Sequence, residues 1–115
     1  MDITYHMVPK KYFESLDETT DYLPSDFGRD GFIHCTDGEY IVSAIAFNIY
    51  RHLDDELLVL FIDKEMVIAN VRYDDPDQLF PHIYGALNRN SIRKISQMVR
   101  DRKGNWIFPI QEAIR

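Results

Sequence analysis

The order of apolar and polar positions divides the chain into short strands and one long helix. Residues 3–8, Ile3-Thr4-Tyr5-His6-Met7-Val8, form an apolar run stopped by Pro9 and read as a strand. Residues 10–16 set Tyr12, Phe13 and Leu16 on one side of a helical turn or two. Residues 17–30 are polar and carry Pro24, Ser25, Asp26 and Gly28, so they read as a loop with a pairing at Tyr22-Leu23. A connection of that length is often functional.

Residues 32–35 read as a second strand. Thr36 then offers an N-cap, and Glu39 three residues on completes a capping box. Ile41, Ala44, Ile45, Asn48 and Ile49 follow at helical spacing and predict a helix over 37–51. Its apolar side should pack Ile41, Ala44, Ile45 and Ile49 on the sheet face carrying Leu58, Leu60 and Ile62. Residues 56–62 are almost continuously apolar, which suits the centre of a sheet covered on both faces. Residues 67–73 read as another strand. Residues 79–85 contain Pro81 and read as an edge or a bend. A strand over about 91–100, a turn at 102–105 and a strand at 106–110 make a hairpin, with a helical turn at the end of the chain. The sum is an α+β domain over 1–115: a small mixed, mostly antiparallel sheet with one main helix.

Composition narrows the classes. Hydrophobic residues are 45% and charged residues 28%, as in an ordinary globular protein. Asp and Glu number 19 against 13 Lys and Arg, a net charge of −6, which argues against a nucleic-acid or anionic-membrane surface. The basic residues gather late, at Arg89, Arg93, Lys94, Arg100, Arg102 and Lys103, as a solvated surface or a phosphate contact. No apolar run approaches the ~20 residues of a membrane span, and the first residues do not read as a signal peptide. Cys35 is the one cysteine, so no disulfide forms within the chain. These features suit a cytoplasmic protein. They say nothing of oligomeric state.

The candidate chemistry lies in histidines. His6, His34 and His82 each sit in a short apolar run beside a turn residue, and imidazole binds, donates and moves protons near neutral pH. Strand alternation puts Ile33 and Cys35 on one face and Phe32, His34 and Thr36 on the other, so His34 points outward or into a pocket. Cys35 suits the core. His82 and Tyr84 share a face. His6, His34 and His82 should lie on one side of the sheet, around a shared concavity. The competing reading has His6 satisfied by a backbone carbonyl. His52 at the end of the helix reads as structural. No HxxxH, HExxH or Cys/His spacing supports zinc, so no metal is expected. A glycine-rich phosphate loop is also absent.

Three motifs carry a family resemblance. Tyr5-His6-Met7-Val8-Pro9, Gly31-Phe32-Ile33-His34-Cys35-Thr36 and Leu79-Phe80-Pro81-His82-Ile83-Tyr84-Gly85 resemble the signatures of the bacterial family called domain of unknown function 952, in that family's order. The resemblance runs to about Met98 and leaves the hairpin from Arg100 as an addition. The family pattern is distantly similar to the ADP-ribosyltransferase superfamily. That similarity implies a split antiparallel sheet around an NAD pocket. His6 would match the first-strand histidine that holds ribose and nicotinamide, and Tyr84 or Tyr50 would supply the stacking ring. The ligand-binding set it implies is His6, His34, His82, Tyr84 and Tyr50. The superfamily's late catalytic glutamate has no match, Asp77 and Gln78 standing nearest. The functions that follow are NAD or ADP-ribose binding with ADP-ribosyl transfer, a non-catalytic small-molecule binding module, or a metal-dependent hydrolase built on the three histidines.

Overall fold

The computed structural model describes residues 1–109. The elements run β1 (Ile3–Pro9), α1 (Lys10–Ser15), α2 (Phe27–Asp30), β2 (Ile33–His34), α3 (Glu39–Tyr50), β3 (Leu57–Asp63), β4 (Asn70–Tyr73), β5 (Pro81–Tyr84), β6 (Ile92–Gln97), β7 (Val99–Arg100) and β8 (Trp106–Ile107). Three antiparallel sheets result, in the orders β1-β3-β6, β2-β5-β4 and β7-β8.

β3 explains the architecture. Every residue from Leu57 to Asp63 is buried, because both faces of its sheet are covered. Leu58, Leu60 and Ile62 join Val8, Ile33, Cys35 and Ile83 in a core between the two larger sheets. Leu57, Val59 and Phe61 face the other way, onto Val42 and Ala46 of α3 and Trp106 of the hairpin. The continuous apolar run at 56–62 is therefore the sheet centre the pattern implied. Two backbone bridges join parts distant in sequence: Tyr5 with Thr36, and Tyr22 with Leu87. The second realises the pairing expected near Tyr22.

Several local expectations are corrected. α3 starts at Glu39, with Gly38 in the N-cap position at φ 94° and no side-chain cap. Thr36 is engaged through its backbone with Tyr5 instead (N···O 2.8 and 2.9 Å). The helix buries Val42 and Ala46, leaves Ile49 65% exposed, and packs on the Leu57–Val59–Phe61 face rather than the Leu58–Leu60–Ile62 face. A helix apolar on nearly every side has no single face that periodicity can select. β5 is the middle strand of its sheet, although it holds Pro81. Proline stands at its first position, where a missing N–H is tolerated, and its carbonyl accepts from Cys35 N at 3.0 Å. The strand expected over 67–73 begins only at Asn70, after a 3₁₀ turn at Lys64–Met66 that Asp63 caps through Glu65 N. The hairpin forms as β7 and β8. The helical turn expected at the end of the chain lies outside the described residues.

Candidate functional site

A cleft of about 390 Å³ opens where β1, α3 and the segment around α2 meet. Strand alternation sends His6 toward the core between the sheets, with Thr4 and Val8. The Tyr22–Leu87 bridge then carries Tyr22 beneath it. Tyr50 at the end of α3 and Tyr12 of α1 also line the cleft, together with Asp26, Arg29, Thr36, Ile45 and Ile49.

His6 is internally satisfied. Its Nδ1 lies 2.6 Å from the carbonyl oxygen of His34, and its Nε2 lies 2.7 Å from the Tyr22 hydroxyl. A carbonyl only accepts, so Nδ1 carries the hydrogen. The neutral ring then accepts the Tyr22 O–H at Nε2. Burial drives the His6 pKa down to about 4, outweighing the opposing backbone hydrogen bond to His34. Burial also raises the Tyr22 phenol. The pair is a fixed neutral floor: His6 holds Tyr22, and a ligand reaching the Tyr22 oxygen meets an acceptor. Burial, then the charge of Asp26, pushes Tyr50 up to about 12. The Tyr50 hydroxyl makes no hydrogen bond with any other described residue, which leaves it available to a ligand. Arg29 stands at the rim, paired with Asp30 at 2.8 Å and Asp26 at 3.4 Å.

The structure does not gather the three histidines. His34 borders the cleft, but its side chain is 54% exposed and its Nε2 pairs with Asp30 Oδ2 at 2.8 Å. His82 and Tyr84 lie on the outer face of the β2-β5-β4 sheet, and neither lines the cleft. There His82 stacks on Phe32 with ring centres 3.9 Å apart. His82 Nδ1 and the Tyr84 hydroxyl both donate to Asp74 Oδ2, and Arg72 lies over the Tyr84 ring. The expectation of one shared concavity therefore fails. Ile33 and Ile83 fill the inner face of this sheet, so their neighbours in sequence must face out. Among the described residues no cluster of three or more His, Cys, Asp or Glu side chains is arranged to hold a metal ion. Cys35 is buried, and burial raises its thiol pKa. It is a core residue, as its strand parity implied.

Sequence reading missed Tyr22, Tyr12, Asp26 and Arg29. The only signal for Tyr22, Asp26 and Arg29 was the length of the 17–30 connector, and Tyr12 read only as part of the apolar side of the 10–16 turn. They reach the cleft through the Tyr22–Leu87 bridge and the hydrogen bond from the Tyr12 hydroxyl to Leu23 O at 2.7 Å.

Fold and site together define a small α+β domain with two facing antiparallel sheets and a cleft built from side chains. The family model for proteins of unknown function, DUF952, matches residues 7–95, and the chain belongs to that family. No curated protein matches it. Among solved structures, the crystal structure of protein CC0527 from Caulobacter crescentus is similar at 17% identity and a TM-score of 0.75, over 90% of this chain and 92% of that one. The solution structure of CC0527 gives 18% identity and a TM-score of 0.72, over 91% of each chain. At such identity the likeness concerns the fold.

Proposed function

We propose that the chain binds a small ligand of the NAD or ADP-ribose type in the cleft between β1, α3 and the α2 segment. The observation that carries this reading is the cleft itself, about 390 Å³ in volume, with Tyr12, Tyr22 and Tyr50 around a rigid His6 floor. Its volume falls in the range of small-molecule sites, and aromatic walls with a few fixed polar groups are the usual lining of such sites. Tyr50 is the ring placed to stack on a flat base or nicotinamide, in place of Tyr84. His6 acts through Tyr22 rather than touching ribose directly.

ADP-ribosyl transfer is favoured by one further feature. Asp26 is the only carboxylate among the cleft's described lining residues. In transfer the bond between nicotinamide and ribose breaks, and nicotinamide leaves with the electron pair. An acceptor nucleophile then bonds to the anomeric carbon and loses its proton. A carboxylate beside the developing positive charge is the kind of group that lowers such a barrier.

Calorimetric titration with NAD and with ADP-ribose tests binding. Tyr50→Phe removes one ligand hydrogen bond and should weaken affinity several-fold, on the order of 1 kcal/mol. Absence of heat for either ligand at millimolar concentration overturns the nucleotide reading. Nicotinamide release from NAD, abolished in Asp26→Asn, marks transfer. Binding without release leaves a non-catalytic binding module.

A further inference from the structure

His82, which lies outside the cleft, and His34 at its border form an arrangement of their own. His34 and His82 face each other directly across the antiparallel β2–β5 pair, with ring centres 5.5 Å apart. Each ring is tied through one nitrogen to a separate carboxylate. His34 Nε2 lies 2.8 Å from Asp30 Oδ2, and His82 Nδ1 lies 2.9 Å from Asp74 Oδ2. Those carboxylates are themselves held, Asp30 by Arg29 and Asp74 by the Tyr84 hydroxyl and Arg72. Hydrogen bonds from Arg29 and then His34 keep the Asp30 carboxyl well below the usual carboxylate range. Hydrogen bonds from Tyr84 and then His82 lower Asp74.

An ionised carboxylate only accepts, so the tied nitrogen of each neutral ring carries the hydrogen. The other nitrogen, Nδ1 of His34 and Nε2 of His82, then presents a bare lone pair. Histidine that ligates a metal characteristically donates its second ring N–H to a carboxylate, which fixes tautomer and orientation. Here two adjacent histidines both have that support. Metal–nitrogen bonds of about 2 Å place two imidazoles on one ion with ring centres roughly 4.5–5.5 Å apart, and the observed separation lies at the upper end of that interval. Phe32 stacks on His82, and its ring centre lies 4.6 Å from that of His34. The carboxylates behind the rings favour a cation over an anion.

We propose that His34 and His82 form an open surface site for a borderline transition-metal dication of the zinc or nickel class, with water completing the coordination. The sequence expectation of no metal rested on local ligand spacing, and a cross-strand pair has none. The site shares only His34 with the border of the cleft, and it does not depend on the nucleotide reading.

The test is a titration of metal-free full-length protein with zinc or nickel chloride near neutral pH. Calorimetry and histidine ring resonances report binding. One equivalent should bind, shifting the His34 and His82 resonances together and leaving those of His6 and His52 in place. His34→Ala, at an exposed position, should weaken binding about tenfold or more, and His82→Ala should do the same. Asp74→Asn should weaken it about tenfold by removing the carboxylate behind His82. Magnesium, a hard cation, should produce no shift. The proposal is overturned if neither resonance moves at millimolar metal, or if His34→Ala binds as tightly as the native protein.

Discussion

At the scale of single residues, His6 ties the cleft to pH. Its pKa falls from 6.5 in the unfolded chain to about 4 in the folded one because burial disfavours the cation. Between those values the unfolded chain binds the extra proton, so stability rises with pH. The contribution is complete above 6.5 and is lost as pH falls toward 4. Its full size is roughly 3 kcal/mol. In urea unfolding measured across this window, the native protein should lose stability on acidification. His6→Gln can still donate to His34 O and accept from Tyr22, but it does not titrate, so it should lose much less. Equal losses in the two proteins would show that another group carries the effect.

At the scale of elements, α3 separates local signals from tertiary ones. Thr36 and Glu39 spell a capping box, yet the helix start is held elsewhere. Asp37 N donates to Leu79 O at 2.7 Å, and Asp37 Oδ2 accepts from Lys64 Nζ at 2.9 Å and from the Tyr73 hydroxyl. Burial opposes the Lys64 cation, but its bonds to Tyr73 and Asp37 outweigh that and raise its pKa. Asp37→Ala should therefore cost ~1–3 kcal/mol, while Glu39→Ala should stay within about 0.5 kcal/mol. A thermal melt that ranks them the other way would restore the capping box. The buried face gives a second contrast. Val42 is fully buried and Ile49 mostly exposed, so Val42→Ala should cost on the order of 2 kcal/mol, and Ile49→Ala less than about 1 kcal/mol. A larger loss for Ile49 than for Val42 in urea unfolding would mean that the helix is turned.

At the scale of the whole molecule, one sheet separates two cores, and the hairpin completes the second. The family model ends at residue 95, yet Trp106 beyond it is 4% exposed. Its indole N–H donates to Tyr50 O at 2.8 Å, and Arg100 lies 4.0 Å above its ring. The hairpin is thus an integral wall of the α3 core, tied to the same residue that lines the cleft. Trp106→Ala should destabilise by ~3–5 kcal/mol. Trp106 is the only tryptophan, so its fluorescence reports the hairpin alone. Denaturation followed by fluorescence and by far-UV circular dichroism should give one midpoint. An earlier fluorescence transition would mark the hairpin as a loosely attached addition.

The sequence by itself determined what depends on neighbours along the chain. The unbroken apolar run at 57–62 dictates a strand covered on both faces. The alternation through Ile33, His34 and Cys35 dictates that His34 points away from the core that takes Cys35, and the same rule pairs His82 with Tyr84. The family resemblance was read from the sequence, and the family model matches residues 7–95. Tertiary structure decided which covered side each face meets. Alternation states which residues share a face, but packing against distant segments decides whether that face lies inside or outside. His6 and His82 therefore separate, because His6 lies on the face of β1 turned toward the second sheet. His82 lies on the outer face of β5, since its neighbour Ile83 fills the core, and His34 reaches only the border of the cleft. The same contacts bring Tyr22 under His6 across the Leu87 bridge and set His82 opposite His34. These pairings join residues far apart in the chain, and no local spacing encodes them.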